Sequence, residues 1–222
     1  ETRRAAAGDG AGPPDGRGAE HDRQEIHKMM ENISRSGLRA ARIVENMLSF
    51  SRKGSIDYTP QDLAQLVDAT IELASNDYDL KKKYDFRKIR IQREYAADMP
   101  RVACESGQIQ QVILNLLKNG AQAMCGADPE IAHPCFTIRL FTTHGMAQVD
   151  VQDNGPGIKP DVQKRVFEPF FTTKQVGIGT GLGLSVSYFI VTENHKGSMK
   201  VYSSPGQGAC FSLQLPISRR PG

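Results

Sequence analysis

The sequence predicts an α+β protein: a two-layer α/β sandwich, its mixed sheet covered on one face by helices, preceded by a long helix of a dimeric helical bundle. Three patterns predict it. Apolar residues recur at helical spacing over 61–76, 107–125 and 181–195. They alternate, or cluster in short β-prone runs, over 88–95, 136–142, 147–152, 198–202 and 209–215. Ahead of all these, Ile26, Met30, Ile33, Gly37, Ala40, Val44 and Met47 form a seam whose steps alternate between four and three. Interleaved helices and strands bury their apolar sides by stacking in layers, whereas a sustained seam of period 3.5 calls for a partner helix.

The elements divide the chain into three regions. Residues 1–21 are rich in Ala, Gly, Pro, Asp and Arg, with the breaker cluster Pro13-Pro14-Asp15-Gly16. They hold too little apolar surface to order themselves and read as a flexible loop. Residues 22–54 read as the seam helix. No second long heptad helix follows, so its partner is expected upstream, in another subunit, or both. Residues 55–218 read as one domain. It begins with a short extended piece before Pro60, then a helix with the apolar face Leu63, Leu66, Val67, Thr70, Ile71 and Leu73. Lys81-Lys82-Lys83 reads as a solvated loop. Ile109, Val112, Ile113, Leu116, Leu117, Ala121 and Met124 are the packing positions of the 107–125 helix.

Composition narrows the function classes. The 222 residues are 39% hydrophobic and 24% charged, which excludes wholesale disorder and a purely fibrous chain. A net charge of +3, with both signs interspersed, points away from nucleic acid. No apolar run is long enough to span a bilayer, so no membrane contact is expected within these residues. Cys104, Cys125, Cys135 and Cys210 lack C-x-x-C spacing and read as free thiols of a cytoplasmic protein. The first residue is Glu1, so the chain is expected to be a fragment or processed product, with any membrane anchor upstream.

Four short stretches carry chemistry. Asn115 and Asn119 lie four apart on the 107–125 helix and so share a face. Asn is a poor helix former, and two on one face either look into solvent or offer carbonyl oxygens to a hard cation such as Mg²⁺. Asp153 ends a strand and enters Asn154-Gly155-Pro156-Gly157-Ile158. This is either a plain turn or a carboxylate placed to accept from an exocyclic amine, with Gly157 allowing close approach of a planar ring. Phe167-Glu168-Pro169-Phe170-Phe171-Thr172-Thr173-Lys174 is either a satellite core or the apolar anchor of a lid, with Lys174 reaching a terminal phosphate. Gly177-Ile178-Gly179-Thr180-Gly181-Leu182-Gly183-Leu184 opens a helix, an arrangement suited to cradling phosphates. It lacks the Gly-Lys-Ser/Thr of a P-loop and does not sit in a βαβ unit.

The order of these stretches closely resembles the ATP-binding catalytic domain of two-component sensor histidine kinases, in the superfamily of DNA gyrase B, Hsp90 chaperones and MutL. "QIQQVILNLLKNGAQAM" is similar to the N box, "DNGPGI" to the first glycine box, "FEPFFTTK" to the F box and "GIGTGLGLS" to the second glycine box. "GQGACFSLQLP" resembles the last glycine box, with Ala209 where the family usually has Thr. The resemblance covers roughly 22–217 and implies a Bergerat-type ATP site. Asp153 would bind the adenine amine, within a pocket formed by Gly155, Gly157, Ile158 and Phe167. Asn119, helped by Asn115, would hold Mg²⁺ against the phosphates. Gly179, Thr180, Gly181, Leu182, Gly183 and Leu184 would cradle the phosphates, and Lys174 would lie nearby. Asn115 and Lys174 would be the catalytic pair, and 159–180 the ATP lid.

The resemblance also implies the reaction: the γ-phosphoryl group passes from ATP to a histidine and thence to an aspartate of a response-regulator receiver domain. An amide at Asn115 cannot act as a general base, which favours phosphotransfer over hydrolysis. "RAARIVENMLSFSR" resembles the second helix of the dimerization and phosphotransfer hairpin, implying a homodimer through that bundle. Neither His21 nor His27 sits in a motif like His-Glu-x-x-Asn-Pro, so the acceptor histidine is expected upstream of Glu1. His195 reads as a structural cap, and His133 and His144 as loop residues. Two alternatives stand beside the kinase: a non-catalytic, ATP-dependent interaction module, and an ATPase like gyrase or Hsp90.

Overall fold

The computed structural model describes residues 25–27, 29, 30, 37, 57–77, 86–127, 129, 131–174 and 180–218. The expected loop over 1–21, most of the seam helix, the run Lys81-Lys82-Lys83 and Gly177 to Gly179 lie outside the described residues. The chain divides into two compact units, Glu1–Glu45 and Asn46–Gly222. In the first, every described residue is helical, and Ile26, Met29 and Met30 are 57–64% exposed. Two of these, Ile26 and Met30, belong to the expected seam.

The second unit is the two-layer sandwich. Its principal sheet has five strands in the order β2-β4-β5-β7-β6. These are β2 (Arg90–Tyr95), β4 (Cys135–Thr143), β5 (Met146–Asp153), β6 (Ser198–Ser203) and β7 (Ala209–Pro216). β2 runs parallel to β4 and every other pairing is antiparallel, so the sheet is mixed as expected. The strict alternation of β4 and β5 sends Phe136, Ile138, Leu140, Ala147, Val149 and Val151 into the core. The opposite face is polar: Arg139 donates to Gln152 at 2.7 Å and Gln214 to Gln148 at 3.0 Å. β4 and β5 join through His144 (φ 49°) and Gly145 (φ 76°), a two-residue hairpin turn with both residues left-handed.

Helices α1 (Leu63–Asn76), α2 (Ser106–Cys125) and α4 (Gly183–Phe189) form the covering layer, with the short α3 (Pro160–Gln163) in the connection after β5. Asp62 caps α1 by accepting from Ala64 and Gln65, and Glu105 caps α2 by accepting from Gly107 and Gln108. All seven expected packing positions of α2 are buried. α1 departs at one position: Leu73 is 54% exposed and Ala74 takes the core place, since the buried stripe runs through Ile71 and Ala74. The expected helix over 181–195 is shorter as an α-helix. α4 passes into a π-helical turn, Ile190–Asn194.

A second, two-stranded sheet pairs β1 (Thr59–Gln61) with β3 (Val102–Cys104). β3 had no sequence expectation, because three residues are too few to show alternation. The four cysteines are free thiols, and burial pushes the Cys104 thiol up to about 11.

Candidate functional site

Three elements meet at one end of the sheet: the end of β5, the middle of α2 and the start of α4. Asp153 is the last residue of β5 and follows its inward-facing series, so the register puts a carboxylate where a core side chain would otherwise sit. It is only 6% exposed. Its Oδ1 accepts from the Gly155 N–H at 2.9 Å and the Ala209 N–H at 3.2 Å. Oδ2 has no such bond. No side-chain oxygen among the described residues is both buried and unpaired, so Oδ2 keeps some access to solvent. Burial raises the Asp153 carboxyl above its ordinary range, against the pull of the two N–H bonds.

On the side of the two glycine turns, the surroundings of Asp153 are backbone. At Gly208 (φ +71°), a Cβ would strike the carbonyl of Asp153, so only glycine lets the β6–β7 turn lie against it. Gly157 lies equally close to the carbonyl of Ser204. The two turns are tied where Gly206 N–H donates to the Pro156 carbonyl at 2.7 Å and Ile158 N–H to Ser203 Oγ at 2.8 Å. The Gly155 and Ile158 N–H groups are therefore committed within the protein. Asn154 is a strut: it accepts from Cys135 N–H and donates to the His133 carbonyl, both at 2.8 Å. Sequence reading assigned Asn154 no role, because its work lies across the sheet.

α2 crosses directly above. A Cβ on Gly120 would fall 2.5 Å from the Phe136 ring and 3.3 Å from Asp153 Cβ, so glycine brings this helix down beside the carboxylate. The same face carries Asn115, Asn119 and Gln122, at i, i+4 and i+7. Asn115 Nδ2 donates to the Gly183 carbonyl at 3.3 Å and to Ser187 Oγ at 3.4 Å, holding the first turn of α4. Lys174 Nζ donates to Asn119 Oδ1 at 3.1 Å and to Gln122 Oε1 at 2.6 Å. Burial lowers the Lys174 pKa from the ordinary lysine value. Gln122 was missed by the sequence reading, although the amide spacing that singled out Asn115 and Asn119 extends to it.

The F-box phenylalanines separate. Phe167 packs between Tyr188 (5.1 Å between centroids) and Phe211 (6.4 Å), so its ring is a structural anchor. The Arg165 guanidinium lies 4.3 Å over the Phe171 ring. Phe170 is exposed in a left-handed conformation (φ 65°), and its backbone lies against Gly181. In the glycine stretch, Thr180 Oγ1 accepts from Leu182 N–H at 3.3 Å. The Leu182 side chain is buried in the core, and its carbonyl accepts from Val186 N–H and Ser185 Oγ. Gly183 sits against the Asn115 amide, and the helix runs on through Leu184. Gly179 lies outside the described residues.

His195 caps the π-helical turn, as the sequence suggested. Its Nε2 accepts from the Glu105 N–H at 3.1 Å, which requires the proton on Nδ1, 2.8 Å from the Ile190 carbonyl. It also stacks edge-on against Tyr58. It therefore joins the start of α2 to the end of the glycine-opened helix, apart from the contacts of Asp153 and Lys174.

The family profile described as histidine kinase-, DNA gyrase B-, and HSP90-like ATPase matches residues 104–219. The two-component sensor PprA of Pseudomonas aeruginosa is 33% identical over 201 residues, covering 89% of this chain and 21% of PprA. The chain thus spans about a fifth of that relative's length. Full-length ShkA in complex with AMPPNP superposes with a TM-score of 0.68 at 24% identity, covering 89% of this chain and 40% of ShkA. Histidine kinase ThkA in complex with the response regulator protein TrrA gives 0.66 at 24%, covering 87% and 52%. These two likenesses bear on the fold. The match over more than half the chain decides the family: the chain belongs to the histidine kinase-, DNA gyrase B-, and HSP90-like ATPases.

Proposed function

We propose that this chain binds ATP with Mg²⁺ in the cleft between α2, α4 and the end of β5, and that the parent protein passes the γ-phosphoryl group to a histidine and then to a receiver-domain aspartate. The observation that carries the reading is Asp153, a carboxylate at a core position with one oxygen held by two N–H groups and the other without a hydrogen bond in the protein. An acceptor-only oxygen in that setting suits an exocyclic amine such as that of adenine. ShkA, which shares this fold, is complexed with AMPPNP, an ATP analogue, and that complex supports a nucleotide here.

The donor set fits a hard cation. Asn119 Oδ1 already faces a positive charge, the Lys174 ammonium. Among the described residues no three His, Cys, Asp or Glu side chains cluster, so a divalent ion here would rely on amide and phosphate oxygens, as Mg²⁺ commonly does. Once bound, Mg²⁺ supplies neutralisation of phosphate charge. Asn119 would hold it, while Asn115 fixes the first turn of α4 relative to α2. Lys174 would contact the terminal phosphate, and the Gly181 to Leu184 backbone would line the phosphates. Because Asn115 is an amide engaged with Gly183 and Ser187, no general base stands there to activate water, which supports transfer over hydrolysis.

The domain assignment follows: 22–54 as one helix of a homodimeric phosphotransfer bundle and 55–218 as the ATP-binding domain of a cytoplasmic region. No described helix is long and apolar enough to cross a membrane. The receiver-domain partner rests on the two-component naming of PprA and on the ThkA–TrrA complex. Incubating the parent protein with γ-labelled ATP tests the reaction. Acid-labile, base-stable label on histidine is expected, and release of free phosphate without protein label would overturn it.

A further inference from the structure

Within that reading, we infer that Gln122 is a positioning residue for Lys174: it keeps the ammonium beside the phosphate end of the cleft when Mg²⁺ takes Asn119 Oδ1. Lys174 Nζ is held by two neutral carbonyl oxygens. The shorter contact is to Gln122 (2.6 Å) and the longer to Asn119 (3.1 Å). The proposed metal ligand and the proposed phosphate ligand thus share one oxygen. An ammonium and a divalent cation repel strongly at that separation, so Mg²⁺ on Asn119 displaces Lys174 from it.

A lysine released from its one remaining tether would recover its rotamer freedom and rehydrate. Gln122 prevents this. It lies three residues beyond Asn119 on the same helix face, so its carbonyl is fixed by a rigid element rather than by the loop. The loop side is also set: Lys174 N–H donates to Thr172 Oγ1 at 3.1 Å, fixing the backbone from which the side chain reaches α2. Lys174 is only partly exposed, so its ammonium relies on these two oxygens as well as on water. A neutral amide suits this work better than a carboxylate. It retains the ammonium without a full charge pairing, so the lysine can still turn to a phosphate oxygen.

The test is a double-mutant cycle on the whole chain, with Gln122→Leu, Lys174→Met and the double variant, reading dissociation constants for Mg-ATP and Mg-ADP separately. Lys174 reaches the terminal phosphate, so its loss is expected to lower the preference for ATP over ADP. Gln122→Leu is expected to lower that preference by about tenfold while ADP affinity stays unchanged, the scale of one hydrogen bond to a charged group. In the double variant the preference should match Lys174→Met alone. Additive losses, or a Gln122→Leu chain with unaltered preference, overturn the inference. Circular dichroism and the unchanged ADP constant show whether the fold survives, and Gln122→Asn with Gln122→Glu gives further substitutions at this half-exposed site. If the unaltered chain binds neither nucleotide, the reading of the cleft itself falls. If it binds both and only the cycle disagrees, the fault lies with Gln122 alone.

Discussion

The two ends of the cleft are built differently. Around Asp153 the hydrogen-bonding wall is mostly main chain: two N–H groups on one carboxylate oxygen, and two glycine turns bound to each other through Gly206–Pro156 and Ile158–Ser203. At the α2–α4 end the contacts are side chains: Asn115 to α4, and Lys174 to Asn119 and Gln122. Main-chain walls anchored to a sheet have few alternative arrangements. Long side chains keep several rotamers and can exchange partners. On the proposed function, affinity for a flat ring would belong at the first end, and a cation-dependent change of contacts at the second.

This contrast can be broken at either end. The largest effect is expected from Asp153→Asn, which puts an NH₂ or a reoriented carbonyl where an amine is to be accepted. Binding of ATP and of adenosine alike should weaken by on the order of a hundredfold, the cost of a lost charged hydrogen bond with one partner left unpaired. If calorimetry finds adenosine binding intact, the carboxylate is not the ring acceptor. Next comes Gly120→Ala. The added methyl meets the Phe136 ring, itself 6.1 Å from the Phe86 ring, so relief requires moving packed aromatics. A stability loss of about 1–3 kcal/mol is expected in denaturant melts, with nucleotide affinity reduced as α2 lifts from Asp153.

Asn119→Ala sharpens the contrast from the other end. It should remove the Mg²⁺ dependence of ATP binding while sparing adenosine, and titrations with and without EDTA read both. If the variant keeps its Mg²⁺ dependence, the metal has another ligand.

The smallest effect is the pH dependence. The folded Asp153 carboxyl titrates above its unfolded value, so between the two the folded chain holds more protons and stability falls as pH rises. Nucleotide affinity should rise over the same window, since the ionised form is the acceptor. Lys174 runs the opposite way: its folded value lies below the unfolded one, so stability rises with pH through that alkaline window while any phosphate contact weakens. Thermal melts of the unaltered chain against Asp153→Asn and Lys174→Met separate the two contributions.

What could be read without coordinates was periodic or local. The α2 core positions, the four later strands and the sequence order of the chemistry-bearing stretches follow from side-chain spacing, because spacing decides which residues share a face. Leu73 and Ala74 show the limit: both fit an apolar helical face, and only the packing partner chose between them. The phenylalanines show it again. One sequence run holds an anchor under Tyr188 and Phe211, an exposed left-handed residue and a ring beneath a guanidinium.

The tertiary structure alone decided which partners meet across long separations. Asp153 reaches Ala209 N–H only because β5 and β7 are neighbours in the sheet. Lys174 meets Gln122 across 52 residues, and His195 meets Glu105 across 90. Periodicity describes one element at a time, whereas a binding cleft is made where elements distant in the chain are brought together by a shared core. The sequence by itself therefore determined which side chains each element presents, and chain folding determined which of them face one another.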